Sequence, residues 1–198
     1  MILMLNDVRL SFAEVFVPKA FEDGGEPAYS AVLIIDPKVT RAFEIGEAKK
    51  MTPVKLMDAV TKVAKDKWGA KTDGILAELI AKNRVCFMAG PKKNASGEAY
   101  SGFEGMYHIS TRGKLRPLLL GKDKSPVTQQ DGVIYSGCYV NASIEMWTQD
   151  NKWGKRVNAS LRGAQFVRDG DAFGGGAPAS TDEFEDLSVG GDSPNSLV

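Results

Sequence analysis

Strict alternation between Tyr135 and Trp147 constrains this chain more than any other stretch. Cys138, Val140, Ala142, Ile144 and Met146 fall on one face, and Tyr135, Tyr139, Asn141, Ser143, Glu145 and Trp147 on the other. A period of two is that of a β-strand, and the first set is apolar enough to be core. Asp150-Asn151-Lys152-Trp153-Gly154 then supplies the Asp, Asn and Gly of a tight turn. A second alternating run follows, with Val157, Ala159 and Leu161 inward and Asn158, Ser160, Arg162, Phe166 and Arg168 outward. The expected unit is a β-hairpin whose outward face mixes aromatic rings with arginines.

Such a face suits one ligand class better than others. Unpaired bases offer π-faces to aromatic side chains at roughly 1–3 kcal/mol per stacked base, while Lys and Arg follow the phosphates. The competing reading is that Tyr139, Trp147 and Phe166 cover a second small core or a subunit interface, which is the commoner fate of any one ring.

The charge distribution favours a polyanion. The 198 residues hold 25 Lys and Arg against 25 Asp and Glu, yet seven of the acids and none of the bases lie beyond Arg168. The body therefore carries 25 bases against 18 acids and is clearly basic, with an acidic tail behind it. Residues 82–124 concentrate the positive charge, with Lys92, Lys93, Arg112, Lys114 and Arg116 among others, and Tyr100, Phe103 and Tyr107 are interleaved with it.

Other elements follow in chain order. Val8, Leu10 and Phe12 alternate with Asp7, Arg9 and Ser11, which predicts a half-buried first strand with Phe12 in the core. YSAVLII, residues 29–35, is a continuous apolar run expected to be buried on both faces. A helical insertion spans about residues 38–82. It comprises a weak helix over 41–51, a main one capped by Thr52 with Pro53 at its first turn and stopped by Gly69, and a short one over 73–82. VCFM, MYHISTR and LLL return to strand character. Gly174-Gly175-Gly176 opens a linker, and the segment beyond it is too acidic and too poor in apolar residues to fold alone. The expected organisation is a β-rich α+β domain over 1–173, built as a small barrel, and a tail over 174–198.

Several chemistries lack their residues. His108 is the one histidine, and Cys86 and Cys138 stand apart without metal-ligand spacing, so no metal site and no cofactor is expected. The cysteines read as buried free thiols of a reducing compartment. GDAFGGG has no following Lys and Ser or Thr, so it is no P-loop. A carboxylate-only magnesium nuclease stays open if acids such as Asp131, Glu145 and Asp150 converge. The N-terminus has neither the charged start nor the sustained apolar run of a signal peptide, and no apolar run is long enough to span a membrane.

Tyr135 to Ala142, Asn151 to Val157 with Gly154-Lys155-Arg156, Leu161 to Gly170 and Ala172 to Gly176 together resemble a family of phage-encoded proteins long catalogued as a domain of unknown function. Weaker similarity runs through Gly105 to Pro117 and the first strands. Characterised members of the family are single-stranded-DNA-binding proteins. The resemblance implies an OB-fold, a five-stranded partly open β-barrel with a helical insertion, and a tail that recruits replication proteins. Here the acidic cluster Asp182, Glu183, Phe184, Glu185, Asp186 and Leu187 is followed by eleven more residues, a departure from tails that finish on their acids.

The resulting expectation is a non-enzymatic protein of the infected bacterial cytoplasm that coats single-stranded DNA during replication or recombination with little sequence specificity. Lys92, Lys93, Arg112, Lys114, Arg116, Arg156 and Arg162 would hold phosphates, and some of Tyr107, Tyr135, Tyr139, Trp147 and Phe166 would stack on bases. The alternatives are a metal-dependent nuclease or recombination enzyme and a β-rich virion or assembly protein. A homodimer is left open.

Overall fold

The computed structural model describes residues 1–20 and 25–173. Strand β1 (Ile2–Lys19) is followed by β2 (Ala28–Ile35), β3 (Arg41–Ile45) and β4 (Met51–Pro53). Helices α1 (Leu56–Trp68) and α2 (Thr72–Ala81) lead into β5 (Phe87–Met88), β6 (Tyr107–Gly113) and β7 (Leu118–Leu120). The hairpin of β8 (Tyr139–Asn151) and β9 (Gly154–Arg168) comes last among the described residues. Hydrogen bonding runs in the order β5-β6-β2-β1-β8-β9-β7, with β3 attached to β1 and β4 to β3.

Strand β1 serves three partners. Leu3 to Asn6 pair with β3, Arg9 to Lys19 with β2, and its other edge pairs with β8 from Ile2 to Arg9. The change of partner is made by two bulges, between Leu5 and Val8 against β8 and between Ser11 and Glu14 against β2. Asp7 and Phe12 lie inside them at φ of 54° and 48°. An extra residue bends a strand and shifts its alternation. At the second bulge the inward phase is broken: Leu10 and Ser11 are both buried, and Phe12 is exposed rather than in the core.

The hairpin keeps its predicted core face. Cys138, Val140, Ala142, Ile144 and Met146 have no accessible surface, and Val157, Ala159 and Leu161 oppose them from β9. Arg162 is an extra residue between the pairs Ser143–Gly163 and Ile144–Leu161. The bulge moves the inward positions to Ala164 and Phe166, so Phe166 packs against the core instead of sharing the outward face. Strand β8 also begins at Tyr139, four residues later than the alternation suggests.

Two backbone ladders draw the ends of this path together. Val157 N donates to Arg84 O (3.1 Å), and Cys86 N donates to Val157 O (2.8 Å). The Cys86 carbonyl in turn accepts from Ser110 N of β6 (2.9 Å). The segment 84–86 thus bridges β9 to β6, and the sheet curls around one main core. On the opposite face of β2, Val32 and Ile34 form a small second core with Phe103, flanked by Met106 and Phe173. This explains why the YSAVLII run is buried on both sides.

The insertion differs from its expected form. Residues 41–51 hold strand β3, a 3-10 turn at Glu47–Lys49 and the start of β4, not a helix. The N-terminal half of β1 offers β3 a ladder, which a marginal local helix cannot match. Pro53 pairs with Phe43 at a sheet margin, where its missing N–H is tolerated, and α1 begins three residues later at Leu56 without a side-chain cap. Ala59, Val60, Val63 and Ala64 of α1 and Leu76 and Leu79 of α2 are buried against the main core, and Gly69 at φ 54° ends α1 as expected. Cys86 and Cys138 are free and buried, and burial pushes their thiols up to about 12 and about 11.

Two glycines lock the start of the hairpin to its end. Gly137 has φ 124°, and a Cβ there would run into the Asp171 carbonyl, while one on Gly170 would meet the Gly137 carbonyl and the Tyr139 ring. Gly137→Ala should therefore lower stability by about 1–3 kcal/mol, read as a reduced denaturant midpoint with an unchanged slope. An unchanged midpoint would show that this closure contributes little.

Candidate nucleic-acid interface

The curl of the sheet leaves a groove of about 1440 Å³ across β2, β6, β9 and the segment 84–93. Its floor is neutral: Ser30, Ser110 and His108 point into it from neighbouring strands. The His108 ring nitrogen Nδ1 lies 2.8 Å from the Gly90 carbonyl, which can only accept, so this nitrogen carries the proton. Burial holds the imidazole below its ordinary pKa and therefore neutral at physiological pH.

Cations line the walls. Lys92 and Lys93 sit on the loop after β5, a small turn organised by Asn94 Oδ1, which accepts from Ser96 N and Glu98 N (both 3.0 Å). Tyr100 N donates to Lys92 O (3.0 Å) and closes the loop at its base. Arg112 donates to the Glu26 carbonyl (2.9 Å), and Lys114 Nζ lies 2.5 Å from the Glu26 carboxylate, whose pKa it lowers. Arg156 lines the groove from β9, and the Arg84 guanidinium lies against Gly154.

Trp147 completes the basic wall. Its Nε1 donates to Ser160 Oγ (3.2 Å), and that hydroxyl donates to the Arg112 carbonyl (3.0 Å), a chain linking β8, β9 and β6. The indole nitrogen is engaged while the ring remains 40% exposed. Lys92, Lys93, Arg112, Lys114, Trp147 and Arg156, far apart in sequence, therefore converge on one groove.

The remaining expected residues lie elsewhere. Tyr107 is half-buried against Phe87, with ring centroids 5.9 Å apart. Tyr135 packs on the main core, and its hydroxyl donates to the Gly170 carbonyl (2.9 Å) beside the Asp169 carboxylate (3.0 Å), so it pins the end of β9. Tyr139 is covered: the Arg168 guanidinium sits 3.3 Å from its ring centroid, with Arg9 at 5.7 Å. Lys122 lies 5.6 Å from the Phe166 ring. Arg116 and Arg162 are exposed but do not line the groove. The segment Asp182 to Leu187 is outside the described residues.

Three groove residues were absent from the expected set: Phe12, Tyr100 and Arg84. Tyr100 and Arg84 belong to the basic, aromatic-interleaved stretch and could have been taken from it. Phe12 had no such signal, because only the bulge turns it outward.

The acids that could have formed a metal centre are separated. Asp131 accepts from Thr128 N and Oγ1 (2.6 and 2.9 Å), and Asp150 from Trp68 Nε1 (2.9 Å), with Lys155 at 3.4 Å. Glu145 is exposed on β8 opposite Ser160. Among the described residues, no three His, Cys, Asp or Glu side chains gather as a metal site would require.

Known proteins share this sequence and fold. The chain is 42% identical over 189 residues to protein p50 of Acyrthosiphon pisum secondary endosymbiont phage 1, covering 94% of each. The single-stranded DNA-binding protein from bacteriophage Enc34 in complex with ssDNA superposes with a TM-score of 0.58 at 26% identity, over 87% of this chain and 89% of that one. A C-terminal truncation of the same Enc34 protein gives 0.55 at 27% identity, over 87% and 88%. The family model described as Enterobacter phage Enc34, ssDNA-binding protein matches residues 1–194, and the chain belongs to that family.

Proposed function

We propose that this protein binds single-stranded DNA in the groove and coats it with little sequence preference, without catalysing a reaction. The observation that carries this reading is the convergence of Lys92, Lys93, Arg112, Lys114 and Arg156 with the exposed Trp147 ring around a neutral floor. Cations follow a phosphate backbone of any sequence, and an aromatic face accepts any unpaired base. The Enc34 relative, solved with ssDNA, supports the same ligand class.

The strand order supports an OB-type barrel. Strands β1, β2, β6, β9 and β8 form a ring, with the segment 84–88 set between β6 and β9 as the partly open seam. Residues 1–173 would form this binding domain, with 174–198 as an acidic appendage that competes for the groove and recruits replication proteins. Support for the competition comes from Phe173, which packs against the small core of Phe103, itself 6.3 Å from the groove residue Phe12. Coating of strands during phage replication or recombination is the role that such a protein would fill.

The first test is a filter-retention titration of labelled single strands with Mg²⁺ present: the strands should be held and remain intact. Cleavage would replace the binding reading with the nuclease one. Across a salt series, log K should fall against log salt with a slope of roughly −3 to −4, as for about four to six neutralised phosphates. A flat slope would exclude a phosphate groove.

Aromatic substitutions separate the exposed ring from the covered one. Trp147→Ala should weaken binding by about 1–3 kcal/mol with the melting temperature nearly unchanged. Tyr139→Ala should do the reverse, lowering thermal stability while the folded protein keeps its affinity, because Arg168 occupies the ring face. Equal affinity losses in the two variants would put the strand across both rings.

Truncation after Gly176 should raise affinity for single strands, most at low salt, where charges act over more than the Debye length of about 8 Å at physiological ionic strength. Identical affinities of the full and truncated chains at low salt would leave the tail without a competing role.

A further inference from the structure

Two groove residues have positive φ, Asn83 at 53° and Phe12, and of the two it is the phenylalanine whose residue type disfavours that state. At φ 48° a bulky side chain crowds its own backbone, a conformation common for glycine and rare for phenylalanine. Such residues persist where their surroundings over-determine them, and they concentrate at ligand sites. Here the bulge between Ser11 and Glu14 imposes the conformation and turns the ring out of the core.

The ring does not simply cover an apolar patch. Phe103, 1% exposed, already closes the small second core, with His108 6.0 Å away. Phe12 lies 6.3 Å from Phe103 and meets Tyr100 edge to face, centroids 5.1 Å apart at 77°. Both outer rings stay open, Phe12 at 44% and Tyr100 at 36%. The Lys92 ammonium stands 6.0 Å from the Phe12 centroid, with Lys93 next to it in the chain. A partly exposed edge-to-face pair with a lysine beside it is complementary to a planar aromatic ring attached to a phosphate.

We propose that Phe12 and Tyr100 form a second nucleobase-stacking site, which takes one unpaired base while Lys92 holds its phosphate. The proposal rests on the groove being the single-strand site. Trp147 adjoins the Arg112 end of β6 through Ser160, whereas Phe12 adjoins the His108 end through Phe103. Four residues of strand separate these ends, roughly 13 Å, so the two sites grip different nucleotides of one strand. The bulge thus fixes a stacking face before DNA arrives, which reduces the ordering that binding requires.

The test uses the full chain with Phe12→Gly, Phe12→Leu and Tyr100→Leu, and homopolymeric oligonucleotides with one abasic position moved along the strand. Phe12→Gly should melt at or above the wild-type temperature, since glycine accepts the backbone conformation, yet bind single strands between about 5-fold and about 100-fold more weakly. Its salt slope should stay that of the wild type, because no ion contact is removed. Phe12→Leu and Tyr100→Leu, which keep apolar bulk and lose the π-face, should weaken binding in the same direction. One abasic position should weaken the wild type and leave Phe12→Gly unaffected.

Wild-type affinity in both Phe12 variants would overturn the proposal, as would a loss accompanied by a shallower salt slope, which would make Phe12 a prop for Lys92. Arg112→Gln and Arg156→Gln tell which level has failed. If they weaken binding while the Phe12 variants do not, the stacking site falls and the groove stands. If neither set weakens it, the groove reading falls as well.

Discussion

Strand β1 gives one edge to two successive partners and the other to β8, and the rest of the molecule depends on how it manages this. A straight strand cannot pair with β3 at one end and β2 at the other on the same edge unless it changes direction between them. The bulges around Asp7 and Phe12 supply that change. They bend the sheet enough for β6 and β9 to approach, and the segment 84–86 fills the seam with backbone hydrogen bonds to both. Main-chain groups are satisfied at what would otherwise be two open edges, which removes the hazard of unpaired strands. The same curl produces the groove.

Charge in the groove is organised by what surrounds it more than by its amount. The chain as a whole is neutral, but cations from the loop after β5, from β6 and from β9 converge where the floor offers serines and an uncharged histidine. Arg112 and Lys114 are both oriented by Glu26, the one acid that lines the groove among the described residues. Exposed pairs of this kind contribute little to stability, so their effect is on direction. Arg168 and Arg9, by contrast, are committed to Tyr139, Asp7 and the backbone near Gly137. Arginines adjacent in the fold therefore have different jobs, and a count of basic residues cannot separate them.

How much of this was legible in the sequence varies with the range of the forces involved. The alternation from Cys138 to Met146, the both-face burial of β2, the stop of α1 at Gly69 and the free buried cysteines were all readable, because each follows from local periodicity or from one residue's conformational preference. Misreadings occur where a distant partner decides the outcome. Residues 41–51 became strand because β1 offered a ladder, and Pro53 fell at a sheet margin for the same reason. Tyr135 and Tyr139 looked like members of an open face until Gly170 and Arg168 covered them. Phe166 and Phe12 changed sides through one inserted residue each, and a pattern of period two carries no mark of where it will slip.

The sequence by itself determined that the chain would be β-rich with a helical insertion, that its body would be basic and its end acidic, and that aromatic rings would lie among those bases. These are properties of composition and short-range pattern, fixed before any folding. Only the tertiary structure decided which rings face solvent and which cations share a groove, because both depend on bulges and on the closure at residues 84–86. A bulge is the resolution of competing ladders, and that competition exists only once the strands have met.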